Sequence, residues 1–373
     1  MLFVGSQEDA MAKIDAFLKL MVESGASDLH MASGNPPLLR IHGDLQRVKY
    51  KVLENDELKG MLYEITPEER IKLFEETGDI DFGFELPGYA RFRVNMFQQK
   101  NGVGAVFRLI PSRVKTAEEL GLPPLIAKLA MLPKGLVLVT GPTGSGKSTT
   151  LAAIIDYANR NRQDHILTIE DPIEFVHPSR GCLVNQREVG LHTKSFAAAL
   201  RSALREDPDI IMVGEMRDLE TISLAIEAAM TGHLVLATLH TLNAPKTVDR
   251  IIEIFPHAQQ PQIRSTLADA LRAVVSQTMF KRVDQPGRVV AFEILVATPA
   301  ARNLIREGKT YQLPSVIQTG RRYGMVSLDD SIMDLLQKGY ISPEEALNKA
   351  VDKSRFLPLV KKAEIADFTE VPG

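Results

Sequence analysis

One eight-residue stretch constrains this chain more than any other. Residues 141–148 read Gly-Pro-Thr-Gly-Ser-Gly-Lys-Ser and match the pattern Gly-x-x-x-x-Gly-Lys-[Ser/Thr]. The apolar residues 136–140 predict a strand directly before this stretch, and residues 149–159 predict a helix directly after it. A glycine-rich turn between a strand and a helix presents backbone N–H groups to phosphate oxygens. The sequence therefore predicts a nucleotide-binding loop.

The residues of this loop have separate predicted roles. We expect the Lys147 side chain to contact the β and γ phosphates of ATP, and the Ser148 hydroxyl to coordinate Mg²⁺. ATP and Mg²⁺ are accordingly the predicted cofactors. The predicted nucleotide-binding residues are Gly141, Pro142, Thr143, Gly144, Ser145, Gly146, Lys147, Ser148 and Thr149.

The sequence around the loop predicts an α/β domain. Four continuous apolar runs alternate with helical patterns, at residues 136–140, 165–169, 210–213 and 234–239. Strands that are apolar on both faces are typical of a parallel sheet covered by helices. After Thr298 the pattern is mostly helical, with prolines near the expected helix starts.

The first ~110 residues have a different pattern, typical of a separate α+β domain. An amphipathic helix is predicted at residues 8–23, and short alternating segments indicate an antiparallel sheet. These segments are residues 38–42, 79–85, 90–97 and 103–110. The polar residues 111–116 are the predicted linker. The predicted domains are residues 1–112 and 113–373, the second with a helical region from about residue 299, and residues 364–373 are expected to form a loose tail.

Polar side chains follow or flank the buried strands of the second domain. Glu170 and Glu215 each come at or after a strand end, where ligands bind in open α/β sheets. Glu215 is suited to act on attacking water, or on Mg²⁺ through water, and Glu170 is a second carboxylate for the same task. His233 and His240 flank the strand at residues 234–239, and we expect both in the site, His240 as a contact to the γ phosphate or to a catalytic acid. A solvated strand cap is the alternative interpretation of each residue by itself.

Two arginines of the first domain are further candidates. In the strand at residues 90–97, Arg91 and Arg93 project from one face, while Phe92 and Val94 face the other. They are candidate catalytic arginines that stabilise the charge of a phosphoryl-transfer transition state. An ordinary solvated sheet surface explains them equally well.

Composition excludes several other classes of protein. The chain has 373 residues, a formal net charge of −3 and one cysteine, Cys182. The acidic balance argues against nucleic acid as a partner, since domains that bind it carry excess basic charge. A single cysteine excludes an intramolecular disulfide and a four-cysteine zinc site, and it favours a cytosolic setting. Neither a signal peptide nor an uncharged apolar run of about 18–20 residues is evident, so we expect contact with a membrane only through partners.

Taken together, these segments resemble the secretion-superfamily ATPases, the hexameric motors of type IV pili and type II secretion. The resemblance rests on the phosphate loop, the acidic residues 166–174, the segment 204–217 and the histidine-bearing residues 231–241. Residues 25–30 and 90–97 are similar to further signatures of the family, so the resemblance covers nearly the whole chain.

Within this superfamily the chain most resembles the retraction ATPases of type IV pili, which power twitching motility. Residues 300–307, Ala-Ala-Arg-Asn-Leu-Ile-Arg-Glu, are similar to the retraction signature Ala-Ile-Arg-Asn-Leu-Ile-Arg-Glu and depart from it at Ala301. Assembly and secretion motors typically carry a longer amino-terminal region and paired Cys-x-x-Cys motifs that bind zinc. The single cysteine therefore favours the retraction branch, and no zinc is expected.

The resemblance implies a PAS-like amino-terminal domain followed by a RecA-like ATPase domain, assembled as a homohexamer with nucleotide between the two domains of one subunit. It implies Lys147 and Ser148 on phosphate and metal, Glu170 as the carboxylate of the acidic segment 166–174, and Glu215 as general base or water-positioning acid. It also implies Arg306 and Glu307 in coupling to the pilus machinery, whose inner-membrane platform protein is the expected partner.

Three alternatives remain open at this point. An assembly or secretion motor is the rival within the superfamily, and a nucleic-acid translocase is the rival with the same RecA-like core. A regulatory nucleotide binder without catalysis is the third, although the retained Lys147, Glu170 and Glu215 argue against it.

Overall fold

The computed structural model describes residues 13–41, 43–110 and 113–360, which form two compact units. The first unit comprises the described residues up to Arg113 together with Asp171–Val176. The second comprises Val114–Glu170 and the described residues from His177 onward. Of the predicted linker, Pro111 and Ser112 lie outside the described residues, as do residues 8–12 of the predicted first helix and the predicted tail at residues 364–373.

The first unit is built on an antiparallel sheet of the order β3-β2-β1-β6-β5-β4 in its described residues. Its strands are β1 (Asp28–Ala32), β2 (Leu38–Ile41), β3 (Asp44–Arg47), β4 (Asp79–Leu86), β5 (Ala90–Gln99) and β6 (Gly102–Ile110). Its helices are α1 (Asp15–Glu23), α2 (Asn55–Ile65) and α3 (Glu68–Thr77). Phe82, Phe92 and Phe107 from three adjacent strands are fully buried and form the centre of the core. The predicted antiparallel sheet is confirmed.

The second unit is built on a mixed sheet of the order β13-β12-β7-β11-β10-β8-β9. Its strands are β7 (Gly135–Thr140), β8 (His165–Glu170), β9 (Leu183–Glu188), β10 (Ile210–Val213), β11 (Leu234–Leu239), β12 (Leu271–Lys281) and β13 (Arg288–Val296). All neighbouring pairs are parallel except β12 with β13, which are antiparallel. The four strands predicted from continuous apolar runs are confirmed as β7, β8, β10 and β11.

Helices cover both faces of this sheet. They are α4 (Pro124–Leu129), α5 (Lys147–Asn161), α6 (Phe196–Ala203), α7 (Leu219–Met230), α8 (Ala244–Glu253) and α9 (Gln260–Ala270). The predicted helical region after Thr298 follows as α10 (Pro299–Arg306), α11 (Leu313–Thr319), α12 (Leu328–Gln337) and α13 (Pro343–Lys349). Separate apolar clusters pack on the two faces of the strands, which is why every residue of β7 is buried. Among the helices of the described residues, none has the length and apolar character needed to cross a membrane.

Candidate active site

The loop between β7 and α5 has a backbone that requires glycine. Gly141, Gly144 and Gly146 have φ angles of 143°, 78° and 90°, values that L side chains rarely adopt. A Cβ at Gly141 would also lie only 2.5 Å from the backbone oxygen of Gln277. The glycines of the sequence pattern therefore allow a turn that no other residue type fits without strain.

Lys147 begins α5 and places its ammonium group over this turn. Its Nζ donates hydrogen bonds to the backbone oxygens of Gly141, at 3.0 Å, and Pro142, at 3.1 Å. The first backbone N–H groups of a helix have no acceptor within the helix, and such groups at a helix start bind anions. Backbone donors and one ammonium group form a donor set that fits the phosphates of a nucleotide. The loop borders a cavity of about 700 Å³, within the usual range of small-molecule sites.

Strand register brings the predicted acids and one histidine to the same sheet edge as the loop. Thr140, the last residue of β7, pairs with Leu239, the last residue of β11, and His240 follows at once. Val213, the last residue of β10, pairs with Ala237 on one side and Ile169 on the other. Because the carboxyl ends of parallel strands meet at one edge, the loop, Glu170, Glu215 and His240 all lie there.

Glu215 is the centre of a charged cluster at this edge. Its Oε1 lies 2.9 Å from His240 Nε2, and Arg217 Nη2 donates to its Oε2 at 2.7 Å. The backbone fixes its position, since the Gly214 N–H donates to Ile169 and the Met216 N–H donates to Thr238 on the neighbouring strands. Burial alone would raise the pKa of Glu215, but the hydrogen bond from Arg217 and the charge of His240 together hold it below its usual range. Glu215 is therefore ionised and able to accept a proton.

Glu170 ends β8 and is buried. Thr168 Oγ1 donates to its Oε1 at 2.6 Å, and Gln186 Nε2 donates to the same oxygen at 3.1 Å. A buried carboxylate needs such donors to offset the loss of water. The carboxylate is therefore held in a defined orientation by two neighbouring side chains.

The structure does not bring His233 to this edge. His233 precedes β11, and its backbone oxygen accepts from Gly135 N–H at the start of β7, whereas the loop follows the end of β7. Its Nδ1 lies 2.9 Å from the backbone oxygen of Ala228. A six-residue strand spans about 20 Å, so His233 and His240 lie at opposite edges of the sheet. His233 therefore lies away from the cluster that Glu215 forms with His240.

Arg91 and Arg93 lie in the first unit and are paired there with carboxylates. Phe92 and Val94 are fully buried while both arginines are partly exposed, which confirms the predicted alternation along β5. Arg91 Nη1 lies 3.6 Å from Glu85, and Arg93 Nε donates to both carboxylate oxygens of Asp81 at 3.1 Å. Arg93 Nη1 also lies 3.7 Å from Glu174. Both arginines thus have anionic partners, and a role toward phosphate would require an exchange of those partners.

Three side chains that support the site were not assigned a role from the sequence. Arg217 pairs with Glu215, while Thr168 and Gln186 hold Glu170. Arg217 and Thr168 stand two residues from the acids that they contact, and that local signal was present in the sequence. Gln186 is on a different strand, and no spacing in the sequence indicates its contact with Glu170.

Comparison with known proteins places the chain in a family. Residues 6–318 match the family described as "Type II/IV secretion system protein". The chain is 55% identical over 337 residues to the type IV pilus retraction ATPase PilT of Pseudomonas aeruginosa, a match that covers 90% of this chain and 98% of that protein. It is 54% identical over 314 residues to a twitching motility protein of Neisseria gonorrhoeae, with 84% of each chain covered.

Solved structures agree with this assignment. The structure of the pilus retraction motor PilT with bound ADP superposes with a TM-score of 0.86 at 44% identity, covering 92% of this chain and 99% of that one. The ATPase DotB of Legionella pneumophila gives a TM-score of 0.81 at 30% identity, covering 93% and 96%. The matched family, the relatives and the shared fold lead to one conclusion: this chain belongs to the type II/IV secretion system ATPase family and is a homologue of the type IV pilus retraction ATPases.

Proposed function

We propose that this chain is a Mg²⁺-dependent ATP-hydrolysing motor that powers the retraction of type IV pili. The observation that carries the proposal is the placement of Glu215, paired with His240, at the sheet edge that also holds the phosphate loop. An ionised acid beside a phosphate-binding loop is the arrangement that hydrolysis of a phosphoryl group needs. The homology to retraction ATPases supports retraction, and not assembly, as the movement of the pilus that the motor drives.

In the proposed reaction each residue has a separate task. Lys147 and the N–H groups at the start of α5 hold the phosphates, and Glu215 orients the attacking water and accepts its proton. His240 fixes the carboxylate of Glu215, and it is the proposed contact to the γ phosphate. Glu170 is a second acid that orders water at the same edge. Mg²⁺, when bound, neutralises charge on the phosphates.

The donors present fit that metal ion. Among the residues that the structure describes, no group of three His, Cys, Asp or Glu side chains could hold a metal by itself. Mg²⁺ usually keeps several waters and takes one or two protein ligands together with substrate phosphates. Ser148 is the proposed direct ligand, and Glu215 is the proposed ligand through water.

The motor is proposed to work as a cytoplasmic homohexamer on an inner-membrane platform protein of the pilus machine. Hydrolysis can then be tied to a conformational change of the motor, because it depends on positioning rather than on covalent chemistry. Arg91 and Arg93 are retained as candidates that exchange Glu85 and Asp81 for phosphate during the cycle.

Pilus length separates this proposal from its main rival. A strain without a retraction motor is expected to remain piliated but immobile, and retraction of labelled pili is expected to stop. Reintroduction of the parent chain should restore retraction, and the Lys147→Ala chain should not. A strain that loses its pili instead would assign the chain to pilus assembly.

Substitution of Arg217 should change the pH dependence of hydrolysis. Because Arg217 contributes to the low pKa of Glu215, Arg217→Ala will raise that pKa. Glu215 must be ionised to act as a base, so the acid limb of kcat/KM against pH is expected to move to higher pH. Arg201→Ala, which removes a surface arginine paired with Glu220, is the matched control and should leave the limb in place. An unmoved acid limb in Arg217→Ala would contradict the role of Glu215.

A further inference from the structure

Gln186 contacts both flanks of the segment Asp171–Val176. Its Nε2 donates to Glu170 Oε1 at 3.1 Å, immediately before the segment. Its Oε1 accepts from the backbone N–H of His177 at 2.8 Å, immediately after the segment. A single side-chain amide therefore holds the residue that enters this segment and the residue that leaves it.

This double contact depends on the chemistry of an amide. A neutral amide offers N–H donors and a carbonyl acceptor on one side chain, whereas a carboxylate offers only acceptors. Gln186 also stands beside Thr168 in the register of β9 against β8, and Thr168 donates to the same oxygen of Glu170. Two donors from adjacent strands thus converge on Glu170 Oε1 and restrict the orientation of its carboxylate.

The segment between the two flanks belongs to the first compact unit, although its neighbours in sequence belong to the second. Within that unit Glu174 lies 3.7 Å from Arg93. The hydrogen bonds that Arg93 donates to Asp81, supported by the charges of Glu174 and Asp171, raise the pKa of Arg93, so its guanidinium group is charged in this contact. A displacement of the segment will therefore act on His177 and Glu170, the two residues that Gln186 holds.

We propose that Gln186 is a positioning residue that ties the orientation of the Glu170 carboxylate to the position of Asp171–Val176. The inference rests on the proposed function in assigning Glu170 to the hydrolytic site. It goes beyond that function by identifying how the acid is linked to a segment of the other unit.

Two substitutions separate the two contacts. Gln186→Glu keeps the acceptor for the His177 N–H and, at about pH 8, has no donor for Glu170. Gln186→Leu removes both the acceptor for the His177 N–H and the donor to Glu170. Asn185→Asp and Asn185→Leu are the matched controls, because Asn185 is the neighbouring amide on the opposite face of β9 and contacts His165 instead.

Steady-state hydrolysis and hydrogen exchange of the His177 amide give independent readouts. We expect both Gln186 variants to lower kcat by about 10-fold with little change in KM, since a misplaced acid affects chemistry more than binding. Exchange at His177 in the nucleotide-free protein should accelerate in Gln186→Leu and stay slow in Gln186→Glu. Both Asn185 variants should match the parent in kcat.

The outcomes distinguish this inference from the proposed function. Parental kcat in Gln186→Glu, or parental exchange in Gln186→Leu, would overturn the positioning role. A parent protein that never hydrolyses ATP would instead refute the motor, while the exchange pattern would still decide whether Gln186 holds His177.

Discussion

Replacing Lys147 with alanine is expected to lower kcat/KM for ATP hydrolysis by at least about 100-fold. Lys147 supplies the ammonium group over the phosphate loop, and its Nζ lies within 3.1 Å of two loop carbonyl oxygens. Removal of that charge takes away one cation that is proposed to stabilise the developing negative charge on the transferred phosphoryl group. Phosphate release over a range of ATP concentrations measures the loss.

The fold should tolerate this substitution. The side chain of Lys147 donates to backbone oxygens of the loop, and alanine is a good helix former at the start of α5. Thermal unfolding of Lys147→Ala without nucleotide should therefore resemble that of the parent. Lys128→Ala, which removes an exposed lysine of α4, is the control for a general effect of lost charge. Parental hydrolysis by Lys147→Ala would show that the loop is not the site.

Replacing Glu215 with glutamine is expected to give a different defect, in which kcat falls by about 100-fold or more while ATP still binds. The amide has nearly the shape of the carboxylate but cannot accept a proton from water. The phosphate loop is unchanged, so the dissociation constant for ATP, measured by calorimetry, should stay within a few fold of the parent value.

Two further measurements make this prediction specific. Glu227→Gln alters an exposed acid of α7 and should leave kcat unchanged. Loss of ATP binding in Glu215→Gln would mean that this side chain maintains the conformation of the phosphate loop and does not act in the hydrolysis step. If Glu215→Gln has the same kcat as the parent protein, Glu215 takes no part in hydrolysis. Glu170 would then be the remaining candidate acid at this edge.

Local sequence signals predicted the central elements well. The loop, its strand and its helix are adjacent in sequence, and continuous apolar runs are sufficient to mark strands that are buried on both faces. The boundary that precedes the last two strands, β12 and β13, is different because it lacks such a local signal. Helix α9 passes into β12 between Ala270 and Leu271 with no glycine or proline at the boundary. The sequence therefore contains no local signal that the helix ends there and a strand begins. Strand β9 has only one fully buried residue and resembles a loop in composition.

The candidate site could be predicted where chain position alone determines which edge a residue occupies. Glu215 and His240 follow their strands, and the parallel register brings them within 2.9 Å of each other. His233 precedes its strand, so its position relative to β11 already indicated the opposite edge. The contact of Gln186 with Glu170 depends on the pairing of β8 with β9, which no local pattern specifies.

The assignment of Asp171–Val176 to the first unit has a practical consequence for dissecting the molecule. The backbone passes between the two units at three places, after Arg113, Glu170 and Val176. A fragment that ends near Arg113 would lack Glu174, a carboxylate that pairs with Arg93, and a fragment that begins at Val114 would carry a six-residue piece of the missing unit. Neither half can be excised cleanly by one cut, so studies of the isolated halves need a graft or a replacement loop at residues 171–176.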